Sequence, residues 1–364
     1  MNYNFFMPTK VYFGRGCIEK NKTAMKELGS NALIVTGKSS SKKNGSLESV
    51  IKALEDLGIN YCVFDEVEEN PSLETIEKAS HIGSESAVNF VIGIGGGSPL
   101  DAAKAIALFI KNPHINRHNI FSGVSLEAIP VVAIPTTSGT GSEVTPYSIV
   151  TVHSEKTKKN LGQKIPPSIA YLDSSFTDNL PYSITVNTAV DAFTHLVESY
   201  LNTNATAMSD IFTEKGFQLF SSCFNSMLNN ELTESFRDKV MLASMLAGIA
   251  IAQTGTSLPH GMGYALTYNK KLPHGLANGV LTVEYLKCFK NKDKLTKMLE
   301  LLQLKDLDSL KHIFSILFRV NLKLTPDEIS EYAHKFAENR SKLKNHPEEI
   351  TVNEIETIYR NSLL

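Results

Sequence analysis

Hydrophobic positions in the first half of the chain fall into short continuous runs separated by helical patterns. Ala32-Leu-Ile-Val-Thr36 is apolar on both faces and ends at Gly37, as a parallel strand covered from both sides would. Residues 10–13, 60–64, 89–94 and 131–134 are strand-like too. Between them, residues 47–57 carry helical periodicity and stop at Gly58. Asn70-Pro71-Ser72 turns the chain into a further helix from Leu73 to about Glu85. This alternation predicts βαβ units, hence a parallel sheet with helices on both faces.

From about Pro181 the period changes. Residues 185–201, 207–227 and 234–252 show long helical patterns, several more follow from Val283 to the end, and strand patterns nearly vanish. The expectation is an amino-terminal α/β domain over 1–180 and an all-helical domain over 181–364. A length of 364 residues agrees, since one core of ordinary size does not organise so long a chain. Residues 341–347 read as a loop before a last short helix.

Composition narrows the class. A 42% hydrophobic and 20% charged chain is globular rather than disordered. The net charge of -2 and the lack of a basic tract argue against nucleic acid as a partner. Cys17, Cys62, Cys223 and Cys288 form no Cys-x-x-Cys, which fits a reducing compartment and disfavours disulfides or a thiolate metal site. The amino terminus lacks the pattern of a signal peptide, and the apolar run 102–110 is interrupted by Lys104 and too short to span a bilayer. The expected location is cytoplasmic, without membrane association.

Candidate chemistry sits in two places. Gly93-Ile-Gly95-Gly96-Gly97-Ser98-Pro99 follows a strand and opens a helix, where glycines and a helix amino terminus suit a pyrophosphate. It is neither a Walker loop nor Gly-x-Gly-x-x-Gly. Thr136-Thr-Ser-Gly-Thr-Gly-Ser142-Glu143 is a second loop of hydroxyls and glycines after a strand. Gly37-Lys38-Ser39-Ser40 carries no acid but offers a cation and hydroxyls, which favours the 2′-phosphate of NADP(H) over the bare ribose of NAD(H). Farther on, Asp191 and His195 are four apart and share one helix face. With His260 and His274 they offer one oxygen and three nitrogens, a set suited to Fe(II) or Zn(II). His81, His114, His118, His153, His312, His334 and His346 lack such company and read as structural.

These motifs, in this order, resemble the iron-containing, or group III, alcohol dehydrogenases over nearly the whole chain. The resemblance rests on Pro8-Thr-Lys-Val-Tyr-Phe-Gly14-Arg-Gly16, Gly95-Gly-Gly-Ser-Pro-Leu-Asp101, Pro135-Thr-Thr-Ser-Gly-Thr-Gly-Ser-Glu143, Asp191-Ala-Phe-Thr-His-Leu-Val-Glu198 and Pro273-His-Gly-Leu-Ala-Asn278. It implies the dehydroquinate synthase-like fold, a dinucleotide-binding α/β domain plus an all-α domain, with cofactor and metal in the cleft between. It implies that Asp191, His195, His260 and His274 hold Fe(II), or Zn(II) as in some relatives. Gly96, Gly97, Ser98, Asp101, Thr136 and Thr137 would contact the cofactor. Asn70 and Lys158, or Lys159 in its place, match further contact positions. Gly37 stands where many relatives carry an aspartate that selects NAD, which agrees with NADP(H). Tyr147 and Ile251 would line the substrate pocket. One position departs: Tyr264 replaces a histidine that relays a proton in many relatives, and a phenol of reference pKa about 10 is a poorer base.

The activity so implied is hydride transfer between NADP(H) and a small alcohol or aldehyde, assisted by the ion's Lewis acidity, in the direction of aldehyde reduction. A homo-oligomer, such as a dimer, is expected. The alternatives are a glycerol dehydrogenase-like enzyme using zinc and NAD, and a relative that binds nucleotide but has lost catalysis. Dehydroquinate synthase chemistry is disfavoured, because only Lys270 and Lys271 supply charge between His260 and His274.

Overall fold

The computed structural model of the chain describes residues 3–155, 157–318, 320 and 322–363. Met1 and Leu364, the limits of the two expected domains, lie outside these. The chain divides into two compact units. One spans Met7–Leu180; the other begins at Pro181 and takes in the amino-terminal stretch ending at Phe6.

The first unit runs β1 (Lys10–Phe13), α1 (Cys17–Asn21), β2 (Asn31–Gly37), α2 (Ser40–Lys43), α3 (Ser46–Leu57), β3 (Asn60–Val67), α4 (Leu73–Glu85), β4 (Phe90–Gly95), α5 (Gly97–Lys111), β5 (Val131–Pro135), β6 (Ile149–Val152), β7 (Thr157–Asn160) and β8 (Ile169–Leu172). Six strands form a parallel sheet in the order β1-β8-β5-β4-β2-β3. Alternate residues of one strand feed two cores. Leu33 and Val35 of β2 pack with α4 and α5 on one face; Ala32 and Ile34 pack with α1 and α3 on the other. That is why the strands read as continuous apolar runs. Ser72 caps α4, accepting from Thr75 N at 3.2 Å, and the left-handed Gly58 (φ 67°) ends α3.

The strand order places a topological switch between β2 and β4. From β2 the chain steps outward to β3, and from β4 it steps the other way to β5. In open parallel sheets ligands bind outside the carboxyl ends of the strands at such a point. The loops that leave β2 at Gly37 and β4 at Gly95 both open there.

The second unit is helical: α6 (Tyr182–Tyr200), α7 (Ala207–Leu228), α8 (Glu234–Thr254), α9 (Leu258–Lys270), α10 (His274–Lys287), α11 (Asp293–Leu302), α12 (Leu307–Leu317), α13 (Pro326–Ala337), α14 (Arg340–Leu343) and α15 (Val352–Leu363). Every residue from Ala189 to Tyr200 is buried, so α6 is its central helix. Phe193, between Asp191 and His195, anchors it edge-on against Phe217, Phe220, Phe224 and Phe314 at centroid distances of 6.0, 5.4, 5.2 and 5.7 Å. Among the described residues no single helix is long and apolar enough to cross a membrane, and the one pair that reaches that length together, α8 and α9, is bent by 109°.

The structure departs from the sequence expectations in three places. The antiparallel pair β6–β7 is an element that periodicity does not mark, because Thr157-Lys-Lys-Asn160 has no apolar face. The four-residue β8 is too short for its pattern to register. The stretch 341–347 is not wholly a loop: it begins inside α14, where Asn339 caps the turn by accepting from Lys342 N.

Candidate active site

In the helical unit three segments converge. Asp191 and His195 stand one turn apart on α6, His260 lies in the first turn of α9, and His274 opens α10. Ligand atoms of Asp191, His195 and His260 lie within 4.8 Å of one another, and all three residues are buried. The His195 and His260 rings stack at 4.2 Å. His260 Nε2 is 3.4 Å and His274 Nε2 3.9 Å from Asp191 Oδ1. His274 is half-buried and stands at the edge of the cluster. The Asn278 amide reaches both, donating to Asp191 Oδ1 at 3.2 Å and lying 3.3 Å from His274 Nε2.

Glycines permit the approach. A Cβ on Gly275 would stand 1.9 Å from the Asn187 carbonyl oxygen and 3.0 Å from Asp191 Cβ, so α10 meets α6 at backbone contact. Leu276 N donates to Asn187 Oδ1 at 3.0 Å and fixes the crossing.

The electrostatics are those of a site built for a cation. Burial alone would raise the Asp191 carboxyl, but His195, His274 and His260 hold it well below the usual carboxylate range. Burial, and then the charge of His260, push His195 down to about 3. Burial also lowers His260, yet Glu198 and Asp191 outweigh it and raise this imidazole to about 9. A proton and a divalent ion would compete for the same nitrogen. Buried His260 Nε2 faces Asp191 Oδ1 at 3.4 Å without a well-directed hydrogen bond among the described residues. An imidazole nitrogen so placed, beside an oxygen and a second imidazole, fits an ion of the Fe(II) or Zn(II) type.

Glu198 is a residue that spacing does not single out. It follows His195 by three positions on α6, is fully buried, and accepts from His260 Nδ1. The signal was present as Asp191, His195 and Glu198 on one helix face. Its partners, 59 and 62 residues away, are visible only in the fold. Tyr264, on α9, stacks on His274 at 5.7 Å and is 36% exposed. Ile251 is buried in α8.

In the α/β unit the other candidates gather at the switch point. Gly96 caps α5, which has no side-chain cap, and a Cβ there would meet Thr137 Oγ1 at 3.3 Å. One on Gly97 would meet Thr140 Cγ2 at 2.8 Å. Thr136 N donates to Gly95 O at 2.9 Å, so the glycine turn and the threonine loop lie side by side. Ser98 Oγ accepts from Asn70 N at 3.0 Å, and Asn70 sits in the left-handed region at φ 60°. Asn70 O accepts from Thr151 Oγ1 at 2.8 Å, and Thr151 is paired across the hairpin with Lys158. Cross-strand partners share a face, which puts Lys158 on the Asn70 side. Lys159 pairs with Glu155 and lies over the Phe121 ring at 5.1 Å.

Asp101 is turned inward. Its carboxylate accepts from Ser142 Oγ at 2.6 Å and Ile149 N at 3.0 Å, with Lys104 Nζ at 3.6 Å. It ties α5 to the second loop and to the start of β6. Lys104 also donates to the carbonyl of Tyr147, a half-buried residue, at 2.7 Å. Lys38, Ser39 and Ser40 are exposed beyond β2, and the nearby Lys42 pairs with Asp65.

A parallel sheet with glycine and threonine loops at its switch point, joined in sequence to a helical unit with a buried carboxylate–imidazole cluster, defines a class of two-unit nucleotide-dependent oxidoreductases. Residues 8–174 match the family "iron-containing alcohol dehydrogenase", and residues 185–363 match "Fe-containing alcohol dehydrogenase family, C-terminal". The chain belongs to the iron-containing alcohol dehydrogenase family. It is 30% identical over 304 residues to the NADPH-dependent butanol dehydrogenase of Clostridium saccharobutylicum, covering 80% of this chain and 75% of that protein. It is 29% identical over 279 residues to the NAD-dependent methanol dehydrogenase of Bacillus methanolicus, covering 76% and 73%. Among solved structures, an iron-containing alcohol dehydrogenase of Thermotoga maritima is 38% identical with a TM-score of 0.91, over 100% of this chain and 99% of that one.

Proposed function

We propose that this chain is a metal-dependent, NADP(H)-linked oxidoreductase of small primary alcohols and aldehydes, working mainly as an aldehyde reductase. The observation that carries the reading is the buried cluster of Asp191, His195 and His260, with the His260 Nε2 turned toward the Asp191 carboxylate. His274 would complete the ligand set. When bound, the ion supplies Lewis acidity toward a substrate oxygen, and the nicotinamide supplies or accepts hydride.

The chain's own residues bind, orient and move the proton. Gly96, Gly97 and Ser98 would hold the pyrophosphate at the α5 amino terminus, with Asn70, Thr136, Thr137 and Lys158 closing around it. Asp101 would keep the two loops in register. Tyr264 would hand a proton to the substrate oxygen during reduction, a role that a neutral phenol can fill. NADP(H) is favoured by the exposed Lys38, Ser39 and Ser40 after Gly37, where no carboxylate would repel a 2′-phosphate.

The test is oxidation of NADPH and NADH by propanal and by lactaldehyde, with protein purified anaerobically in Fe(II). NADPH should be oxidised with the higher kcat/KM, and an Asp191→Ala, His274→Ala double variant should lose the activity. NADH preference would overturn the cofactor reading alone. Loss of neither rate in the double variant would overturn the metal site.

A further inference from the structure

We infer that Glu198 is the positioning residue of the metal cluster: its one carboxylate caps the start of α9 and at the same time aims the His260 imidazole at Asp191. The inference rests on the metal-site reading above.

The backbone of α9 shows the need. Its N-cap residue, Ser257, makes no side-chain cap. The first amides of a helix have no intrahelical acceptor and must find one elsewhere when buried. Glu198, delivered from α6, supplies it. Its Oε2 accepts from Ser257 N, and its Oε1 accepts from His260 N at 3.0 Å. A negative group at this end is also favoured by the helix dipole.

The same Oε1 accepts from His260 Nδ1. That contact keeps the proton on Nδ1 and leaves Nε2, the nitrogen free to give up its own proton to an incoming ion, facing Asp191 Oδ1 at 3.4 Å. A carboxylate behind a ligating imidazole sets ring orientation and raises its basicity as a donor. Glu198 is fully buried and His260 nearly so, so neither can turn to solvent. The ring cannot rotate without losing its bond to Glu198, and Glu198 cannot follow the ring without leaving the two amides that it caps. This couples the entry of α9 to the geometry of the ligand set.

Metal-free protein, prepared by chelation, would be titrated with Zn(II) against a competing chelator and with Co(II) by visible absorption. Glu198→Gln replaces one acceptor oxygen by an NH2 that cannot accept from any of the three N–H groups. Its Kd for Zn(II) should rise about 10- to 100-fold, and its Co(II) spectrum should change. Glu198→Asp keeps the charge but shortens its reach; it should fold and still weaken Zn(II) binding several-fold. A residue that merely stabilised the fold would lower the melting temperature and leave both metal readouts alone. Variants that bind Zn(II) within twofold of the wild type, with an unchanged Co(II) spectrum, overturn the inference. A wild type that binds neither ion overturns the metal reading and this inference with it.

Discussion

Glu143 shows how much one buried carboxyl can govern. It lies in the turn Ser142–Val144 and is 2% exposed. Nearby, Lys104 is fully buried, its Nζ donating to Ser142 Oγ at 2.7 Å. Burial pushes Glu143 up to about 7, more than Lys104 and its own backbone hydrogen bond lower it. The sign follows. A carboxyl whose folded pKa exceeds its unfolded value takes up a proton on folding, so its contribution is full below about pH 4.5 and is lost as pH rises through about 7. At roughly 1.4 kcal/mol per pH unit the window amounts to about 3 kcal/mol. Glu143→Gln should therefore flatten the decline in stability between pH 5 and 7, and exceed the wild type at pH 8. Urea midpoints at four pH values would check this, and parallel curves for the two proteins would refute it. Of such groups the sequence shows the motif but not the burial. Asp191, His195, His260 and His274 were legible because spacing and motif mark them. Glu143 and Glu198 close two of the same motifs, but their burial and partners were not legible, because these come from what folds over them.

At the scale of elements, glycine decides where helices meet. Gly275→Ala must drive a methyl into the Asn187 carbonyl, rigid backbone that cannot turn aside, and so push α10 off α6. The expected loss is about 2 kcal/mol or more. His274 would move with α10, and metal affinity should fall as well. Gly58→Ala is the control: its Cβ meets open space, and only its left-handed φ of 67° is strained, at roughly 1–2 kcal/mol. It should leave metal binding unchanged. Equal effects of the two variants on Zn(II) affinity would show that the close approach of α10 does not serve the site. The strands β2, β4 and β5 were legible because both faces are apolar, and α3 and α4 because a cap or a glycine marks an end. The hairpin β6–β7 escaped because Thr157-Lys-Lys-Asn160 has no apolar face and Ile149–Val152 is only four residues long, although it carries Lys158 and steadies Asn70 through Thr151.

At the scale of the whole molecule, the candidate ligands divide between the two units. The switch point between β2 and β4 is a property of strand order, which no local pattern reveals, yet it brings together loops far apart in sequence that the proposed reading assigns to one nucleotide. The metal candidates lie wholly in the helical unit. A ligand stabilises the state that binds it by mass action, by about 2.7 kcal/mol at one hundred times its Kd. Amides that exchange by opening of the binding elements should then slow by about 100-fold. Hydrogen exchange of metal-free protein should show Zn(II) protecting peptides from α6, α9 and α10. NADP(H) should protect the ends of β2 and β4, the first turn of α5 and the loop 136–149. Each footprint tests one site without turnover. Zn(II) protection confined to the α/β unit would displace the metal from Asp191, and NADP(H) protection that spared the α5 turn would remove the phosphate from Gly96 and Gly97.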